Sequence, residues 1–212
     1  MTPLKHIAES TVRRLSAYLR FLEDFEAQGH QTISSGELAA QGGTTSAQVR
    51  KDLSFFGSFG KRGLGYSVNA LATSLRTILG LGREWRVIIV GAGKIGAALA
   101  QYRGFRERGF TVVGVYDVDA ARLGRTLDGN VVRDQSELEH DIPRLKPEMA
   151  LLAVPAEAAQ PLVDRLAKAG VRAILNFAPT PLVAPANVTV RSVNMALELE
   201  ILSYALVNEK EF

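Results

Sequence analysis

The 212-residue chain has no cysteine. That absence excludes disulfides, thiolate zinc centres, iron–sulfur clusters and thiol redox switching, so any redox role must run through a bound cofactor. Long hydrophobic runs are missing too. No stretch reaches the ~18 uninterrupted apolar residues of a membrane span, and the N-terminal MTPLKHIAEST lacks the apolar core of a secretion signal, which points to a cytoplasmic protein with no membrane partner. Histidine is limited to His6, His30 and His140, and no metal-ligand spacing occurs, so no metal site is expected. A composition of 47% hydrophobic and 22% charged residues is that of an ordinary globular protein.

Net charge is only +3, but its placement is uneven. Residues 1–82 hold nine Lys/Arg against six Asp/Glu, whereas 83–212 hold sixteen of each. Within Thr44–Tyr66, Arg50, Lys51, Lys61 and Arg62 are set against one acid, Asp52. A local basic patch on a nearly neutral protein is a footprint for a polyanion. A merely solvated surface would give the same count, so the surrounding pattern has to decide.

Apolar residues at 12, 15, 18, 19, 22 and 25 form a one-face stripe, which predicts a helix from Ile7 to Phe25 that ends near Gly29. Ser34-Ser35-Gly36-Glu37 is a capping box opening a short helix through Gln41, which Gly42-Gly43 ends. Thr45-Ser46-Ala47-Gln48 is a second box. It starts a helix with Val49, Leu53 and Phe56 inward and Ala47, Arg50, Lys51 and Ser54 outward. Two short helices joined by a tight glycine turn are the helix-turn-helix layout. Phe59–Tyr66 then alternates aromatic and glycine around Lys61-Arg62-Gly63, which predicts a basic β-hairpin. Together these make a winged helix, whose recognition helix enters a major groove while the wing offers an arginine to a minor groove. The candidate DNA contacts are Ser46, Gln48, Arg50, Lys51, Ser54, Lys61, Arg62 and Gly63.

After a helix over roughly Asn69–Leu79, Gly80-Leu81-Gly82 marks a boundary, giving domains 1–82, 83–193 and 194–212. Trp85–Val90 reads as a buried strand, followed by Gly91-Ala92-Gly93-Lys94-Ile95-Gly96 and a helix over Ala97–Tyr102. A glycine fingerprint between strand and helix is the dinucleotide-binding context. Gly91 allows the turn, Gly93 lets a pyrophosphate approach the backbone, and Gly96 lets helix pack on strand. A second strand, Thr111–Tyr116, ends at Asp117, where a carboxylate accepts hydrogen bonds from the adenosine ribose. Val118-Asp119 follows instead of an arginine, so a 2′-phosphate would meet like charge, favouring NAD(H) over NADP(H).

Met149–Val154, Glu157–Ala169 and Ala173–Phe177 continue as a βαβ unit of a doubly wound parallel sheet. Cofactors in such sheets lie beyond the strand C-termini, so Val154, Pro155, Asn176 and Ala178 should border the nicotinamide. Val188–Val193 reads as a last strand and Asn194–Val207 as a last helix. Met195, Leu197, Leu199, Ile201, Leu202, Ala205 and Leu206 surround much of that helix, which therefore needs burial on more than one side. A second subunit or a deep slot within one subunit would provide it.

In this order, Val49–Gly57, Gly63-Leu64-Gly65-Tyr66, the fingerprint Gly91–Gly96 and Asn176-Phe177-Ala178-Pro179 resemble the Rex family of redox-sensing transcriptional repressors. The resemblance spans nearly the whole chain. It implies a homodimer that binds a palindromic operator with two winged helices, compares NADH with NAD⁺ in its Rossmann domains, and releases DNA when NADH is high. It also implies that the C-terminal helix is swapped between subunits. On the matching positions it makes Arg50 and Lys51 recognition-helix contacts, Arg62 the wing contact, and Arg20, Tyr102, Asn194 and Met195 the links between DNA-binding domain, cofactor domain and swapped helix. The family often has an aspartate at the position of Asn194. The amide leaves Arg20 without that ionic partner and hydrogen-bonds more weakly than a carboxylate.

Two other classes fit parts of the pattern. An NAD-dependent dehydrogenase with an N-terminal extension would need a positioned acid or base, yet the three histidines lie outside the strand ends and no second domain holds a substrate. A repressor with a different nucleotide or coenzyme as effector keeps the architecture and changes only the ligand.

Overall fold

The computed structural model describes residues 7–61 and 64–208, without the side chain of Lys61. The chain forms two compact units that divide between Arg83 and Glu84.

In the first unit the order is α1 (Glu9–Ala27), β1 (Thr32–Ile33), α2 (Ser35–Gln41), α3 (Ser46–Ser54), β2 (Gly60–Lys61), β3 (Gly65–Ser67) and α4 (Val68–Ile78). Leu15, Tyr18, Leu19 and Leu22 of α1 meet Leu38, Val49, Leu53, Leu71 and Leu75 in one core. The buried stripe of α1 is shorter than the sequence predicts. Val12 is 41% exposed, and Thr11 is buried in its turn instead. Three helices start on side-chain caps: Ser34 accepts from the Glu37 amide, Thr45 from Gln48, and Ser67 from Ala70. Only the first is a full capping box. The hairpin pairs Gly60 with Tyr66 and Lys61 with Gly65, and β1 adds a third strand to β3 that the sequence reading did not contain.

The second unit runs β4 (Trp85–Val90), α5 (Lys94–Ala100), α6 (Arg103–Glu107), β5 (Phe110–Asp117), β6 (Thr126–Leu127), β7 (Asn130–Asp134), α7 (Leu138–Leu145), β8 (Met149–Leu152), α8 (Ala156–Lys168), β9 (Ala173–Asn176), β10 (Thr189–Ser192) and α9 (Met195–Val207). The strands lie in the order β10-β9-β8-β4-β5-β7-β6, all parallel except for the short β6. Chain order reverses on either side of β4. That is the switch point of a doubly wound sheet, where ligands bind beyond the strand C-termini. Alternation along β4 puts Ile88 and Val90 on one face with Leu138, Ile142, Leu162 and Val163 of α7 and α8. Val87 and Ile89 face the other way, toward Leu99 and Ala100 of α5 and Phe105 of α6.

Two local differences from the sequence reading, and the exposure of α9, affect the site. The fingerprint helix begins at Lys94, three residues before the expected Ala97, with Gly93 as its N-cap. It ends at Ala100, so Tyr102 lies beyond it as the N-cap residue of α6, 60% exposed and edge-on to Phe105. Finally, every described residue of α9 is exposed or half-buried, although the helix is apolar on all sides.

Beneath the sheet, the Asp141 carboxylate on α7 is 3% exposed and accepts hydrogen bonds from the Tyr116 hydroxyl at 3.0 Å, from Arg133 at 2.5 Å and from Arg144 at 2.9 Å. Burial alone would raise this carboxyl, but its charged and hydroxyl donors outweigh burial and hold it down at about 2. A carboxyl depressed in the folded state stabilises the fold above its ordinary titration range, and that contribution disappears as pH falls toward 2. Asp141→Asn should therefore cost about 1.5–3 kcal/mol near neutrality, the range for hydrogen bonds to a charged group. In urea titrations at falling pH, the variant should lose less stability than the parent between about pH 4 and 2.

Candidate functional site

The outer face of α3 carries Ala47, Arg50, Lys51 and Ser54, all exposed. Between α3 and the hairpin runs a groove of about 540 Å³ lined by Ser34, Arg50, Ser54, Phe59 and Tyr66. Arg50 donates to Ser35 Oγ at 3.0 Å, which ties the two helices of the helix-turn-helix together. Ser54 Oγ donates to the Lys51 carbonyl at 2.7 Å. The expected contacts Arg62 and Gly63, and the side chain of Lys61, lie outside the described residues.

Gln48 differs from its expected role. It does not close the second capping box or face outward; its amide donates to Asp52 Oδ1 at 2.8 Å. Asp52 is fully buried, and Arg14 on α1 reaches both of its oxygens, at 2.6 and 2.8 Å, while the Tyr18 hydroxyl adds a bond at 3.1 Å. Burial pushes the Asp52 carboxyl up, but Arg14, Gln48 and Tyr18 together hold it below the usual carboxylate range. Burial and the same carboxylate push the Tyr18 phenol up to about 12. The only acid of α3 is thus withdrawn and paired, so the charged side chains on its exposed face are the cations Arg50 and Lys51. The signal was present in the sequence: Asp52 shares the inward face with Val49 and Phe56, and an acid in an apolar stripe needs buried donors.

In the second unit, the fingerprint is built from close contacts. Gly91 has φ +97°, and a Cβ there would stand 2.2 Å from the Ala153 carbonyl oxygen on the neighbouring loop. At Gly96 a Cβ would meet the Gly91 carbonyl oxygen at 1.7 Å. At Gly93, by contrast, the nearest atom to a Cβ would be Arg122 Nη1 at 3.8 Å, so the backbone there is open to an approaching group. Lys94 and Ile95 are exposed at the start of α5. The N-termini of α5 and of α8, which follow the adjacent strands β4 and β8, carry no side-chain caps. Open backbone amides and a backbone without Cβ obstruction fit the diphosphate of a dinucleotide.

Asp117 ends β5 as expected, but it is only 4% exposed and already well satisfied. Its Oδ2 accepts the Ala92 amide at 2.5 Å and Arg122 Nη1 at 3.1 Å, and its Oδ1 accepts the Asp119 amide at 2.8 Å. These donors hold the carboxyl below its ordinary range against the effect of burial. The expectation that no arginine stands near the ribose end is overturned. Arg122 reaches it because a turn, closed by the Arg122 amide on the Asp119 carbonyl at 2.8 Å, folds the chain back.

At the opposite side of the sheet edge, Val154 is half-buried and Pro155 exposed. Asn176 and Ala178 are buried and do not present polar groups to a ligand. The Asn176 amide donates to the carbonyls of Ala178 and Thr180 and to Ser192 Oγ, and accepts from the Ala178 amide, so it shapes the loop after β9. That loop and Ile95 form a cleft of about 660 Å³ with Val193, Asn194 and Met195 at the start of α9. Asn194 Oδ1 is the N-cap of α9, accepting from the Ala196 and Leu197 amides at 3.1 and 3.2 Å. Arg20, exposed, lies in the first unit.

A basic helix-turn-helix with a hairpin, followed by a dinucleotide fold, defines a ligand-responsive transcription regulator. Two family models agree with the two halves: "Putative DNA-binding protein N-terminus" over residues 6–54 and "CoA binding domain" over 82–180. The chain belongs to the Rex family of redox-sensing transcriptional repressors. It is 48% identical to the repressor of that name from Carboxydothermus hydrogenoformans, over 93% of this chain and 95% of the relative. With the one from Thermus thermophilus it shares 47% identity over 96% of each. Both relatives are named as repressors, not as enzymes. Among solved structures, the crystal structure of RSP in complex with β-NAD⁺ and operator DNA matches with a TM-score of 0.92 and 38% identity, over 98% of this chain and 95% of that one. RSP in complex with β-NADH matches at 0.88 and 36%, over 97% and 96%. No helix among the described residues is long and apolar enough to cross a membrane.

The glycine geometry separates two roles by experiment. Gly96→Ala forces carbonyl and methyl together and should destabilise the second unit by at least about 1–3 kcal/mol, read by thermal unfolding. Gly93→Ala meets open space, so it should leave the melting temperature of the ligand-free protein within a few degrees of the parent while weakening dinucleotide binding.

Proposed function

We propose that this chain is a homodimeric repressor that holds a palindromic operator while NADH is scarce and lets go when NADH displaces NAD⁺ in the fingerprint cleft. Residues 1–82 read DNA, 83–193 hold the dinucleotide, and 194–212 join two copies. A repressor of this kind works in the cytoplasm, where its operator is. The observation that carries the reading is the wall shared by cleft and helix. Asn194 and Met195 line the cleft and also begin α9, an apolar helix with no buried residue. A ligand in that cleft bears directly on the helix with which two copies would join.

The chain also offers that helix a seat. An apolar groove of about 300 Å³ opens on the sheet face that α5 and α6 leave bare, lined by Val87, Phe105, Met149, Leu151 and Leu175. A swapped α9 from a second copy supplies the missing cover. When bound, NADH contributes its nicotinamide as the redox signal. Gly93 and the helix N-termini hold the diphosphate, Asp117 the ribose, and Val154 and Pro155 flank the far end. Arg20 and Tyr102 link this arrangement to the DNA-binding unit. Asn194, as an amide that caps α9, does so without an ion pair. The solved RSP complexes with NAD⁺ and operator DNA and with NADH support these ligand assignments by similarity.

A ligand moves an equilibrium only through its different affinity for the two states, and the coupling is reciprocal. Saturating operator should therefore weaken NADH binding by the factor by which NADH weakens operator binding, about 5–150-fold. Calorimetry of NADH with and without operator measures it directly. Equal affinities would overturn the sensor reading, and a response to coenzyme A in place of NADH would reassign the effector. Removing residues 194–212 should yield monomers and abolish the response.

On the DNA side, Arg50→Ala should cost about 1–3 kcal/mol of operator affinity if the side chain reads a base edge. Lys51→Ala should weaken binding evenly across sequences and flatten its salt dependence. Band-shift titrations on operator and scrambled duplexes distinguish the two.

A further inference from the structure

Asp117 is expected to serve the ribose, yet its acceptor capacity is nearly spent. A carboxylate offers about four acceptor positions, and three are filled here. Two of the donors, the Ala92 and Asp119 amides, belong to the backbone of the fingerprint and of the turn after β5 and cannot leave without unfolding them. The third is the Arg122 guanidinium, which is 39% exposed and, unlike the two amides, belongs to a side chain. It has somewhere to go: its Nε is 3.3 Å from Asp119 Oδ2, on a carboxylate itself 43% exposed. Nη1 is also the atom nearest the open face of Gly93, so this guanidinium stands between the diphosphate approach and the ribose acceptor.

We propose that Arg122 is a specificity-determining residue that competes with the adenosine ribose for Asp117, and that a ribose diol binds by exchanging this arginine onto Asp119. The proposal rests on the reading that a dinucleotide occupies the fingerprint site. A competitor built into the site lowers affinity for NADH and NAD⁺ by the same factor, because both carry the same adenosine ribose. It adjusts the concentration range of the sensor without touching its preference between the two redox forms. Towards a 2′-phosphate the same guanidinium acts in the opposite sense. It is the cation that partly offsets Asp117 and Asp119, so it softens the rejection of NADPH that two carboxylates alone would impose.

The test is calorimetry of NADH, NAD⁺ and NADPH binding to full-length parent, Arg122→Gln and Arg122→Lys at about 0.15 M salt. Arg122→Gln should bind NADH and NAD⁺ roughly two- to fivefold more tightly, about what the net loss of one modest hydrogen bond allows, and NADPH more weakly by a similar factor. Arg122→Lys, which retains the charge, should recover NADPH binding toward the parent. A purely structural role would weaken all three ligands together. That result, or unchanged NADH affinity in Arg122→Gln, overturns the proposal. A parent that binds no dinucleotide at all would overturn the underlying assignment of the site as well, and so would be told apart from failure of Arg122 alone.

Discussion

The second unit depends on three backbones meeting where no side chain fits. The β4–α5 turn at Gly91, the first turn of α5 at Gly96 and the loop after β8 at Ala153 converge so closely that a methyl group at either glycine would overlap a carbonyl oxygen. This convergence lets α5 start directly at the end of β4 and places its free amides beside those of α8. The same closeness puts the Ala92 amide within reach of Asp117, so the turn and the end of β5 are locked by one short hydrogen bond. The fingerprint turn and the Asp117 carboxylate are thus one constructed object, and neither is adjustable without the other. The one side-chain donor that completes the set is Arg122, which is half-exposed.

The two units solve a common problem with a buried aspartate. Asp52 on α3 and Asp117 at the end of β5 are each withdrawn from water, and each is satisfied by an arginine from elsewhere together with other donors. A buried carboxylate is costly unless it is fully hydrogen-bonded, so it fixes the geometry of whatever supplies its donors. In the first unit that donor comes from α1, and the recognition helix takes its position from a long helix instead of from its own short length. In the second unit the donors are mostly main chain, and the one side-chain partner, Arg122, is half-exposed. The fold makes one aspartate a clamp and leaves the other partly negotiable.

Much of this was legible in the sequence because its signals are local. The Ser34–Glu37 capping box, the Gly60–Tyr66 hairpin and the β4–fingerprint sequence depend on residues a few positions apart, and all three were readable. The errors came from contacts across the fold. Asn176 looks like a polar residue at a strand end, but its amide is consumed by its own loop and by Ser192. Gln48 has the spacing of a capping-box partner, yet a buried carboxylate on the same helix attracts it more strongly than an exposed backbone amide does. Arg122 lies five residues from Asp117 at no helical or strand period, and only the turn at Asp119 brings it back. β1, two residues long, carries no period at all and exists because β3 offers it a free edge.

α9 shows how sequence and structure answer different questions. Its composition states that the helix must be covered, and the exposure of Leu199, Leu202, Leu206 and Val207 shows that the described chain does not cover it. Burying a single leucine is worth about 1.5–3 kcal/mol, so several such side chains on each of two helices are of the size needed to offset the cost of association, which makes a second copy a natural cover. The N-cap at Asn194 fixes where the helix begins, and it begins in the wall of the cleft that Ile95 and the loop after β9 line. Anything that shifts this wall changes the origin of the helix that would hold two copies together. A ligand that displaces the loop after β9 would therefore act on α9 directly, at its first turn.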